Sequence, residues 1–311
     1  MPDITQAAPV WAALVPLGLL ALASAGAVVA GVSATRMRGG AVLAGVISPF
    51  TETSRLLRQR RRVPVAADRV LWHVAIGGIP VVAVLMVVVV PIGPVVLADS
   101  PVGIVWFNAM DVLLWALWWL AGWGPNSAHP LIAGHRFLGL ALAYELPLMF
   151  ALTAPAVAAG SLRVADVAAA QHGLWFAVWM PVAFAVYLLS TLAFSSWGPF
   201  AVAAHADLAG GVLAETSGVD RWLMLAGRHL VLAAGALMAV PLFLGGGAGP
   251  LLGPVVWTVL KALAVLMFLE LAAGRLPLIR PERFAELGWV VLLPVTVLQV
   301  LVAAVVALGG A

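Results

Sequence analysis

Eight apolar runs, each long enough to cross a bilayer as a helix, account for most of this chain. A hydrocarbon core about 30 Å thick takes roughly 20 helical residues, because each residue advances a helix by about 1.5 Å. Bounded by charge, proline or glycine, the runs cover approximately Pro9 to Gly31, Val74 to Leu97, Val102 to Ala121, Phe137 to Ala159, Leu174 to Ser195, Leu223 to Leu244, Leu251 to Ala273 and Leu287 to Leu308. Lipid offers backbone N–H and C=O groups no hydrogen-bonding partner, so each run must satisfy them internally as a helix. The predicted fold is all-α: a polytopic transmembrane helix bundle of about eight spans, one membrane domain over residues 1–311. Its long connections cover about 32–73 and 196–222. Hydrophobic residues make up 64% of the chain and charged residues 9%, against roughly 25% charged in a soluble domain, so no stretch remains for a separate water-soluble fold.

Ala21, Ala23 and Ala25 resemble a signal-peptidase site, but the flank before them holds Asp3 and neither Lys nor Arg. The run also has the length of a span, so an uncleaved first helix is expected. Arginine sets the orientation, because positive charge resists translocation. The first connection holds Arg36, Arg38, Arg55, Arg58, Arg60, Arg61, Arg62 and Arg69; the third holds Arg136, the fifth Arg221, and the seventh Arg275, Arg280 and Arg283. The other side has only Arg163. Odd-numbered connections are therefore expected in the cytoplasm, with both termini on the outer side of the cell inner (plasma) membrane. Arg58, Arg60, Arg61, Arg62, Arg280 and Arg283 are candidates for docking an acidic partner or anionic lipid, although a topology signal alone would also account for them. Arginines scattered in short connections do not form a basic domain, so nucleic acid is not an expected partner.

Ionised side chains at membrane depth cost about 2.5–3.5 kcal/mol each on insertion scales, so they tend to face protein or water and to serve ion pathways. Asp111, Glu145, Lys261 and Glu270 are in that position and are the candidate proton path. The structural alternative is an ion pair between Lys261 and a carboxylate, with the other acids neutral or near an interface. Pro147, two residues after Glu145, is expected to kink the helix and make the backbone locally more polar. The segment from Ser195 to Arg221 contains Pro199-Phe200, His205, Asp207 and Glu215, and reads as a partly ordered loop with short helices. There is no cysteine, no HExxH pattern and no P-loop, and His73, His172 and His229 lie near run ends rather than in matched pairs for haem. No catalytic residue, no metal site and no cofactor held by this chain alone are expected. Redox centres would have to lie in partner chains.

Gly122-Trp123 to Asn126-Ser127, Leu131-Ile132-Ala133-Gly134, Arg136 and Tyr144-Glu145-Leu146-Pro147-Leu148 resemble the H subunit of bacterial NADH:quinone oxidoreductase, the family of complex I subunit 1. The similarity continues in order along the chain. Pro64-Val65-Ala66-Ala67-Asp68 is similar to the Pro-x-Ala-Asp entering the family's second helix. Pro199-Phe200, Asp207-Leu208 and Glu215-Thr216-Ser217-Gly218 are similar to its quinone-side loop. Leu287-Gly288-Trp289 with Leu292-Leu293-Pro294 is similar to the start of its last helix. The resemblance implies eight spans and a subunit that helps form a quinone chamber with its partners, contacts cytoplasmic iron–sulfur and quinone-reductase subunits and other membrane-arm subunits, and couples redox to proton translocation. It places Glu145 at the family's fourth-helix Glu, Asp207 and Glu215 at acids of the quinone-side loop, and Arg136 at the basic residue before the fourth helix.

The chain departs from the family where Ala-Glu-x-x-Arg-x-Pro-Phe-Asp is usual, since Phe194, Trp197 and Ala201 replace the three charges. His205-Ala206-Asp207-Leu208, and Glu270 to Arg275 with Leu278 and Arg280, also resemble the membrane subunit of formate hydrogenlyase and energy-converting hydrogenases. A membrane anchor beside hydrogenase-like subunits is therefore an alternative expectation. A purely structural anchor and an independent secondary transporter are others, although the inverted repeats of a transporter are not evident.

Overall fold

The computed structural model describes residues 5–8 and 10–309. Pro9, the predicted start of the first run, and Asp3 beside it lie outside the described residues. Among the described residues twelve α-helices follow in order: α1 (Trp11–Met37), α2 (Val42–Arg58), α3 (Arg69–Val87), α4 (Gly103–Trp123), α5 (Ala128–Ala159), α6 (Val164–Ala169), α7 (Phe176–Trp179), α8 (Pro181–Phe194), α9 (Gly218–Phe243), α10 (Pro254–Arg275), α11 (Pro281–Leu287) and α12 (Leu293–Gly309). Eight helical segments among the described residues are long and apolar enough to span a membrane: α1, α3, α4, α5, α8 with the turn after it, α9, α10, and α11 joined to α12. The chain is a multi-pass membrane protein. Among the described residues its only strands are two-residue segments, Thr5–Gln6 and Val95–Val96, paired in parallel.

Several boundaries differ from the sequence expectation, among them the start of the fourth span, since α5 begins at Ala128 rather than Phe137. The second run was expected to reach Leu97, but α3 ends at Val87 and the next residues turn back, with Ala98 N–H donating to the Val88 carbonyl at 3.0 Å. Pro91 and Pro94 lack the N–H that a longer helix would need, while the valines around them hide the break in a hydropathy reading. The fifth span starts at Pro181 rather than Leu174, because the short α7 precedes it and proline suits the first helical turn. The first connection is also more ordered than a loop. The first helix runs on to Met37, and α2 lies against it with Leu56 buried while Leu43, Ile47 and Phe50 are exposed beside Arg55 and Arg58. Apolar and charged side chains on one short helix suit a membrane surface.

The core is built around α9 and α5, which are the most enclosed spans, whereas α1 and α12 keep most of their surface outside the bundle. Valines and leucines exposed on α12 give it an apolar outer surface. Small residues let the inner helices approach. A Cβ at Gly235 on α9 would lie 2.5 Å from Thr191 Cγ2, and the Tyr187 hydroxyl donates to the Gly235 carbonyl at 2.8 Å. Where α4 meets α5, a Cβ on Gly122 would lie 2.5 Å from the Pro130 carbonyl oxygen and 3.0 Å from Gly134 Cα. Gly122→Val should therefore separate these helices, lowering stability by about 1–3 kcal/mol through overpacking, with Gly122→Ala milder. Thermal unfolding of the detergent-purified protein tests this; wild-type melting of Gly122→Val would refute the close crossing.

Candidate functional site

The crossing of α4 and α5 brings two carboxyls together inside the bundle. Asn108 and Asp111 are three residues apart on one face of α4, and Tyr144 and Glu145 meet them from α5. The Tyr144 hydroxyl donates to Asp111 Oδ1 at 3.1 Å, and Asn108 Nδ2 donates to Glu145 Oε1 at 2.8 Å. Asp111 is fully buried and Glu145 nearly so. Their other oxygens, Asp111 Oδ2 and Glu145 Oε2, have no hydrogen-bond partner among the described residues, and the bonds from Tyr144 and Asn108 set the two carboxyls beside each other. Pro147 lies inside α5, two residues after Glu145. Gly288, close against the Ala143 carbonyl, lets the start of α12 pack beside the same turn.

Glu270 belongs to a different cluster. On α10 it faces His229 of α9, with Nδ1 and Oε1 3.3 Å apart, close enough for an ion pair but not aligned as a hydrogen bond. Gly26 of α1 closes over the pair, since a Cβ there would lie 3.2 Å from Glu270 Oε1. Beside it, Arg228 donates to the Ser196 carbonyl and stacks on the Trp197 ring, 4.1 Å from its centroid. The Trp197 indole N–H donates in return to the Arg228 carbonyl at 3.3 Å. Thus Trp197, at a position where the resembled family usually has Arg, receives a guanidinium from α9. Phe194, at a usual Glu position, instead meets Phe107 edge-on, with ring centroids 6.3 Å apart.

Lys261 forms a third site, about 14 Å from Glu270 along α10 at 1.5 Å per residue. Among the described residues Lys261 is paired with no carboxylate, unlike the ion pair weighed as the structural alternative. Its ammonium donates to the carbonyls of Leu244, Gly246 and Ala248 at 2.7, 2.9 and 2.7 Å, and lies 4.6 Å from the Trp175 ring centroid. These carbonyls belong to the end of α9 and the turn after it, where helical acceptors run out of partners. The four membrane-depth residues therefore occupy three separate places.

On the arginine-rich side, the predicted loop residues divide between two clefts. Three short 3₁₀ turns order the segment between α8 and α9, as expected of a partly ordered loop. In the first cleft, of 420 Å³, Arg136 donates to Asp207 at 2.8 Å, His205 Nδ1 lies 3.4 Å from the same carboxylate, and Arg280 lines the wall. In the second, Glu215 accepts from Ser127 at 2.9 Å and shares the lining with Arg62. Arg61 is paired with buried Asp220 at 2.5 Å, and this bond holds its guanidinium above the usual range. Arg58 bonds back to Ser54, whereas Arg60 and Arg280 are exposed; Arg283, also exposed, lies 3.6 Å from Glu286.

A last cleft, of 360 Å³, opens between α1, α2 and α9. Leu20, Pro49, Phe50, Leu56, Trp222 and Leu225 give it apolar walls, with Glu52 and His229 among its polar groups. The Arg55 guanidinium bonded to Glu52 keeps that carboxyl below the usual range. Its stabilising effect is therefore present above the ordinary carboxylate pKa and is lost as pH falls through the lowered one.

A family model described as NADH dehydrogenase matches residues 9–304. The chain belongs to this family. The second of the NADH-quinone oxidoreductase H subunits of Geobacter sulfurreducens is 34% identical to it over 269 residues, covering 83% of this chain and 82% of that protein. The first of those of Geobacter metallireducens is 33% identical over the same coverage, and the second of those of Cereibacter sphaeroides is 33% identical over 273 residues, 86% of this chain and 85% of that one. The motifs that resemble the NADH dehydrogenase family occupy structured places in this member. Asp68 caps α3, accepting from the N–H groups of Val70 and Leu71, and Gly288-Trp289 begins the π-helical turn leading to α12. Sequence reasoning overlooked Arg228. Its signal was present, since a charge ten residues into α9 is as unusual as Glu145, but its stacking partner Trp197 lies on another element.

Proposed function

We propose that this chain is a membrane-arm subunit of an NADH-quinone oxidoreductase, which anchors an electron-transfer module, helps enclose quinone and couples its reduction to proton translocation. The observation that carries the reading is the buried Asp111–Glu145 pair, two acids at membrane depth with Tyr144 and Asn108 as polar neighbours and free carboxylate oxygens. Such a pair accepts and releases a proton without a formal charge moving far through lipid. With no cysteine in the chain, electrons come from cytoplasmic iron–sulfur partners. The cleft between α1, α2 and α9 has the apolar walls suited to an isoprenoid quinone, a cofactor held jointly with those partners. Arg60, Arg280 and Arg283, exposed on the side assigned to the cytoplasm, fit an acidic docking surface, with both termini outside the plasma membrane.

The chain carrying an affinity tag, extracted in mild detergent, should co-isolate with iron–sulfur and NADH-oxidising subunits. A photoreactive quinone should label α1, α2 or α9. Isolation alone, or labelling confined to other chains, would refute the corresponding part of the reading. Co-isolation with a nickel-binding subunit would instead favour the hydrogenase-type anchor, which the relatives described above, named for quinone oxidoreduction, do not favour.

A further inference from the structure

The face of α1 opposite the cleft shared with α2 and α9 bounds a second groove, of 390 Å³, between α1 and α10. Leu14, Gly18, Leu22 and Ala25 line it from α1 and Val259 and Leu263 from α10, while Leu237 of α9 adds to its wall; every lining residue is apolar. Gly18 leaves the groove open, since a Cβ there would meet no atom within 4 Å. From Trp11 to Ala25 the groove follows α1 for about 21 Å at 1.5 Å per residue, close to half of a bilayer about 40–45 Å thick with its headgroups. Trp11 and Ile92 mark its end farther from the arginines, where an indole suits the boundary between hydrocarbon and headgroups.

Shape and depth select the occupant. Water does not fill an apolar cavity, so at membrane depth the choice lies between a lipid chain and a helix of a partner. Volume and length together give a mean cross-section of about 20 Å², against roughly 80–110 Å² for a helix 10–12 Å across. An empty groove would forfeit the dispersion contacts of every atom along it. We propose that the α1–α10 groove holds one acyl chain of a phospholipid from the leaflet on that side, a resident lipid distinct from the exchanging lipid around the bundle. Close packing retains the chain, because bulk lipid tails are as apolar as these side chains and supply no hydrophobic preference. Among the described residues no charged side chain lines the groove, so the lipid is held by its chain and not chosen by its headgroup.

The test uses the intact complex in nanodiscs containing a phosphatidylethanolamine with a diazirine in one acyl chain, or its phosphatidylglycerol counterpart. Photolysis should label α1 between Gly18 and Ala25 or α10 between Val259 and Leu263, with the two headgroups agreeing within about twofold. When label-free lipid is exchanged in before photolysis, this labelling should persist, whereas that of exposed Phe268 farther along α10 should fade. Gly18→Phe and Ala21→Phe each put a ring into the groove and should lower its labelling by about tenfold. Leu17→Phe, exposed and outside the lining, should leave it unchanged. Co-purifying subunits report that each variant is assembled, and having two groove variants guards against one that fails to fold. Groove labelling that fades as fast as that of Phe268, or that survives both groove variants, would overturn the assignment. So would crosslinking of these positions to a partner's helix, or capture of a photoreactive quinone here in place of phospholipid.

Discussion

Glu145→Gln should leave the complex assembled and electron transfer measurable, yet lower proton translocation by on the order of 100-fold, the low end of what a positioned proton-transfer group contributes. The amide is nearly the same size as the carboxyl and can still accept from Asn108, so the α4–α5 contact survives. What disappears is a site that can take and release a proton, because an amide does neither near neutral pH. Asp111→Asn should act in the same direction, since its carboxyl completes the pair and receives the Tyr144 hydroxyl. Tyr144→Phe should have a smaller effect, leaving both acids in place but Asp111 Oδ1 without its donor. Dye-reported acidification of vesicles containing the reconstituted complex, with an uncoupler control, measures the outcome. Wild-type pumping by assembled Glu145→Gln would reduce this chain to an anchor.

Lys261→Met should destabilise the protein by on the order of 1–3 kcal/mol, the cost of leaving buried carbonyls without their shared donor. Methionine keeps the length of the stem but donates nothing, so the carbonyls of Leu244, Gly246 and Ala248 lose one shared partner. The contact with Trp175 is lost with the charge. Lys261→Arg should be intermediate, because a planar fork does not reproduce a compact ammonium placed among three converging oxygens. Thermal unfolding of the purified complex, together with the yield of assembled protein, gives the measure. Wild-type melting by Lys261→Met would show that water replaces the ammonium at little cost and that the turn after α9 is not held by it.

Much of the site was visible as residue type but not as partnership. A lone acid in an apolar run is evident by contrast, so Asp111, Glu145 and Glu270 stand out without any structure. Whether Lys261 meets a carboxylate or a ring of carbonyls depends on the path of the turn after α9, which hydropathy does not encode. Arg228 and Trp197, 31 positions apart, need the loop after α8 to fold back before either acquires meaning. The long first connection concealed α2, because apolar and charged residues mixed at a membrane surface dilute the hydropathy signal that marks a span.

By itself, the sequence determined the all-helical fold, the eight spans and the family, because lipid leaves the backbone one way to satisfy its hydrogen bonds and the family motifs lie in order along the chain. Only the tertiary structure decided that Glu145 joins Asp111, that Glu270 joins His229, and that Lys261 closes a helix end. The physical reason is that each pairing depends on the distance between helices, set by contacts such as Gly122 on Gly134 and Gly26 on Glu270, and not on position along any one of them.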